Sequence, residues 1–128
     1  YLLGGSARFT EKVDGEYGSF PWAQSVFGGL SFDRITAMGE LNFVGRHSDT
    51  LIMYGNLTVR PVWGVYVVGE YNFMDPDRRY ETGIDEFVRA SVNCYPISFV
   101  MISPSYTFYT HGPFVGSNDW YIQFHIGY

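Results

Sequence analysis

The sequence predicts an all-β fold: a transmembrane, antiparallel, up-and-down β-barrel of about eight strands, in a single domain over residues 1–128. Three observations carry that expectation. Apolar and polar residues alternate with period two almost from end to end. Aromatic residues and glycine are abundant, with 11 Tyr, 11 Phe, 3 Trp and 15 Gly. Charged residues make up 16%, against roughly 25% in a typical soluble domain. Mean hydropathy is still only -0.06, which is what strict alternation produces.

The alternation divides the chain into eight strands. The first is expected over Leu2 to Lys12 and the second from about Phe20 to Phe32. The third runs Ile35 to Gly45, the fourth Thr50 to Arg60, the fifth Val65 to Phe73 and the sixth Thr82 to Cys94. The seventh spans Phe99 to Thr110, and the eighth is the closing D-W-Y-I-Q-F-H-I-G-Y, residues 119 to 128. Asp33-Arg34, Pro61-Val62-Trp63 and Tyr95-Pro96-Ile97 read as short turns at one end. Residues 13–19, 45–49, 74–81 and 111–119 read as longer polar loops at the other. Short turns opposite long loops fit a membrane barrel. R-P-V-W-G-V-Y-V and Y-P-I-S-F-V-M-I look like one hairpin turn repeated 35 residues apart, from Pro61 to Pro96. Tyr1 opens directly in a strand, so the alternative is the C-terminal part of a larger barrel.

The two faces of these strands differ in what they can tolerate. One carries almost no charge, with Glu86 the exception near a strand end. The other mixes Arg8, Glu40, Arg60, Glu70, Asp85 and Arg89 with Ser, Thr, Asn, Gly and Tyr. Several charges in a small dry core are costly. A soluble barrel built the other way would show water a continuous apolar belt. In a bilayer both difficulties vanish if the apolar face meets lipid and the charged face lines the bore. Aromatics on the apolar face cluster at strand ends: Phe20, Trp22, Phe73, Phe108 and Trp120 towards the long loops, Phe32, Trp63 and Tyr128 towards the short turns. Two such girdles around an aliphatic band mark the membrane interfaces.

The closing strand resembles the C-terminal signal of bacterial outer-membrane β-barrel proteins, carried here by Ile122, Phe124, Ile126 and Tyr128. That resemblance implies a porin-like, outer-membrane location and recognition by the barrel-assembly machinery. A second likeness, in G-E-Y-N-F-M-D-P-D, Y-P-I-S-F-V and S-Y-T-F-Y, is to the last hairpins of porin-like barrels, including those that sheathe multihaem cytochromes. No C-x-x-C-H occurs, so haem would belong to a periplasmic or membrane partner and no cofactor is expected in this chain.

Other chemistry is weaker. The net charge of -5 gives no reason to expect nucleic acid, and no apolar run is long enough for a membrane-spanning helix. Asp75, Asp77 and Glu81 in one acidic loop form a weak calcium candidate whose spacing matches no EF-hand. His47, His111 and His125 are scattered without ligand spacing, and the single Cys94 has no internal disulfide partner. No local motif places Ser, His and Asp together for hydrolysis, so no enzyme is expected. Arg8, Glu40, Glu70 and Arg89 fall near mid-height on the polar face, as a paired network or as separate wall residues. The expected functions are a porin-like channel or barrel sheath with a charged lumen. The alternative is a plugged barrel serving as an anchor or as a binding surface through its outer loops. A membrane-embedded barrel hydrolase ranks last.

Overall fold

The computed structural model describes residues 2–9, 22–45, 49–76, 78 and 83–127, with side chains at all of these except 2, 3, 5–9, 22 and 49. They form one antiparallel eight-stranded sheet in which every strand neighbours the next in sequence. Its strands are β1 (Leu2–Phe9), β2 (Trp22–Phe32), β3 (Ile35–Gly45), β4 (Asp49–Val62), β5 (Val65–Asp75), β6 (Asp85–Ile97), β7 (Val100–His111) and β8 (Asn118–Ile126). Among the described residues there is no helix. The closure that a barrel needs is absent from this sheet, because β1 and β8 do not pair.

Three tight turns join the strands at one end. At Asp33-Arg34 the aspartate takes a left-handed φ of 50°, a conformation that Asp tolerates and hairpin turns favour. At Trp63-Gly64 the glycine has φ 77° and lies against the Tyr95 backbone, whose N–H donates to the Gly64 carbonyl at 2.7 Å. The third turn is Ser98-Phe99. The second and third turns differ from the expected ones for a definite reason. Pro61 and Pro96 sit inside β4 and β6, each one residue before the strand ends. The ladder slips between Val59 and Val62 and again between Cys94 and Ile97. A bulge is where a strand can hold a residue without an N–H, so each proline marks an irregular strand end and the turn comes just after it.

Successive hairpins are staggered. The hydrogen-bonded row through Gly28 and Gly39 continues across Gly55, Tyr71, Val88 and Phe108 to Asn118. Counted from the strand starts at Ile35, Val65 and Val100, that row crosses β3 four residues in, β5 six in and β7 eight in. The shift is two residues per hairpin, or one per strand. With roughly 3.3 Å per residue and about 4.8 Å between strands, the rows are inclined by about 35°.

No second layer covers either face, yet one face is much more crowded. The buried side chains Val68, Ser103, Ser105 and Thr107 lie on the polar face, and Thr107 retains only 1% of its surface. The apolar face is open: Leu57 is 50% exposed and Ile122 60%, and Val26, Leu30, Val67 and Val88 are exposed too. In a one-layer sheet, side chains crowd on the concave side and splay on the convex side. The polar face is thus the more crowded of the two and the aliphatic face the more exposed.

Candidate functional site

The best-ordered group of side chains on the polar face centres on Arg89. Cross-strand register sets Asn56 beside Glu70, Glu70 beside Arg89 and Arg89 beside Thr107. The Arg89 guanidinium lies 3.6 Å from the Glu70 carboxylate, and its Nε–H donates to Thr107 Oγ1 at 3.1 Å. Its plane lies over two rings, Phe87 at 5.4 Å and Tyr121 at 5.5 Å. Glu70 also accepts from the Tyr54 hydroxyl at 3.2 Å. A planar, five-donor cation suits this surround of carboxylate, hydroxyl and ring faces better than an ammonium would. The partly buried charge is thus matched, as a charge out of bulk water must be. Below it, Ser103 donates to Asn93 at 2.6 Å.

An aromatic run continues from Arg89 towards the long-loop end. Phe87 lies 5.8 Å from Tyr109, and Tyr109 lies 5.6 Å from Phe114. The Tyr109 hydroxyl donates to Asp119 at 3.1 Å. Phe114 belongs to the connection from β7 to β8, a compact turn that Val115 N–H to Gly112 O and Ser117 N–H to Phe114 O hold together.

The remaining expected lumen charges are spread around this centre. Glu40 lies in the adjacent row, opposite Phe27 and Tyr54. It is exposed and makes no ion pair among the described residues. The backbone of Arg8 pairs with Ala23, and its side chain lies outside the described residues. Arg60 sits at the short-turn end with its guanidinium 5.4 Å from the Trp63 ring centre. Nearby, Arg34 donates to the Pro61 carbonyl at 3.1 Å and accepts from Arg60 N–H at 2.8 Å, so two neighbouring turns are tied together. Asp85 opens β6 with one carboxylate oxygen shielded from solvent and unpaired among the described atoms. Of the four mid-height charges expected on sequence grounds, the structure brings Glu70 and Arg89 together. Tyr54, Phe87, Thr107 and Tyr121 complete their surround and were not among the expected site residues. Counting register onward from the Asp33-Arg34 turn through each hairpin, with one slip at each proline, would have found them.

Glu86, the odd charge on the apolar face, is also partnered. The Tyr71 hydroxyl donates to one oxygen at 2.7 Å, and His111 Nδ1 lies 2.8 Å from the other. The expected interface aromatics Phe32, Trp63, Phe108 and Trp120 are exposed, Trp63 at 87%, and Phe73 is half-buried. The Trp22 side chain and all of Phe20 and Tyr128 lie outside the described residues, as do Asp77 and Glu81 of the calcium candidate. Among the described residues no cluster of His, Cys, Asp or Glu is arranged to hold a metal ion. Ile122, Phe124 and Ile126 project from the outward face of β8 and are exposed. Comparison of the chain with protein-family models, with curated proteins and with solved structures finds no match.

Proposed function

We propose that this chain forms wall of a bacterial outer-membrane β-barrel, a porin-like passage whose bore is lined by the polar face. The observation that carries this reading is the contrast of the two faces: hydroxyls, carboxylates and guanidinium on the more crowded face, and aliphatic side chains exposed on the other. In water that outer face would be an unbroken apolar surface far larger than a soluble monomer displays. Against lipid tails it needs no cover. The inclination of about 35° from the stagger falls in the range of membrane barrels. Within a bilayer the outer edges of β1 and β8 need partners, either each other or further strands that complete a wider ring.

A second reading, a plugged anchor, is favoured by the Arg89 cluster, which fills part of the same face. Reconstitution of the purified protein in planar lipid bilayers separates the two. A steady ionic current is the expected result. Protein that is inserted and protected from protease at its strands but carries no current would overturn the passage and favour the anchor.

A further inference from the structure

We propose that the passage prefers cations and that Glu40 sets this preference; the inference rests on the reading of this chain as a pore wall. The charges of the polar face are not equivalent. Arg89 is neutralised by Glu70 at 3.6 Å and held between Thr107, Phe87 and Tyr121. Arg60 is drawn to the short-turn rim against Trp63. Glu40 has none of these restraints. It is exposed on β3, five residues from Ile35 and five from Gly45, so it sits at mid-depth. Among the described residues it has no hydrogen bond or ion pair, and its cross-strand neighbours Phe27 and Tyr54 carry no charge. An ion travelling along β2 to β4 therefore meets one unscreened carboxylate at half depth and no opposing described cation. A fixed charge on the wall of a narrow bore raises the local concentration of its counter-ion.

The test is the reversal potential of the wild-type pore between two potassium chloride concentrations. A potential of the sign that reports potassium selectivity is expected. Glu40→Gln lowers the ratio of potassium to chloride permeability by about fivefold, the effect of one unit charge a few ångströms from the path in a watery medium. Glu40→Lys inverts the ratio. Both variants alter an exposed side chain, so they keep wild-type thermal stability. A wild-type current with no charge preference, or a preference that neither variant moves, would overturn the role of Glu40 and leave the pore standing. Absence of any wild-type current would overturn the pore and this inference with it.

Discussion

The two flanks of the sheet present the same polar face in different states. Across β6 and β7 it is covered: Ser103, Ser105 and Thr107 of β7 are buried, and Thr107 accepts from the Arg89 guanidinium. Across β2 and β3 it is more open, with Phe27, Met38 and Glu40 exposed. The difference follows from residue size and charge pairing. On the covered flank small hydroxyl residues alternate between strands with Arg and Tyr, and the large side chains lie down over the small ones. On the open flank Met38 lies against Gly29 and Ser31 pairs with Thr36, and among the described residues the one carboxylate, Glu40, has no cation beside it. One flank is a packed polar layer, and the other is wall.

Substitutions at four positions break or sharpen that contrast, from the largest effect to the smallest. Leu57→Arg puts a charge in the middle of the outward band. In a lipid bilayer it should cost about 2–4 kcal/mol of folding free energy, whereas a soluble sheet would tolerate it at an exposed site. Urea unfolding in vesicles measures the difference, and a neutral result there would remove the bilayer from the account. Arg89→Ala, on the covered flank, strands Glu70 and uncovers Thr107. A loss of about 1–3 kcal/mol is expected, with Arg89→Lys recovering only part because an ammonium cannot span both Glu70 and Thr107. Thr107→Ala removes one acceptor from Arg89 and should cost about 1 kcal/mol, read as a fall in the urea midpoint without a change in slope. Glu40→Gln, on the open flank, should change stability by less than about 0.5 kcal/mol. A large loss at Glu40 would mean that the two flanks are packed alike.

Much of this was legible in the sequence because a strand repeats every two residues and each residue declares its face. The run from Ile35 to Gly45 is a strand in both readings, and the tight turn at Asp33-Arg34 places Glu40 opposite Phe27 without any coordinates. What was hidden has a local cause. Pro61 and Pro96 look like turn residues, yet each occupies a bulge inside its strand, so β4 reaches Val62 and β6 reaches Ile97. The sixth strand was expected from Thr82, which lies outside the described residues; after Gly83 and Ile84 it starts at Asp85. The Arg89 surround was hidden for a different reason. Charges at like depth on alternate strands can be counted, but whether a guanidinium lies down on Phe87 and Tyr121 or reaches for another carboxylate depends on the curl of the sheet. Alternation alone does not report curl.

The outer border of β8, which pairs with no described strand, has a consequence for the chain in water. Its main-chain amides and carbonyls form a template that any extended polypeptide can join, and Ile122, Phe124 and Ile126 on the same strand offer that intruder a greasy landing. In water such an edge is a site for pairing between copies. On the proposed reading, passage to a bilayer calls for an escort that masks this strand and lets go there.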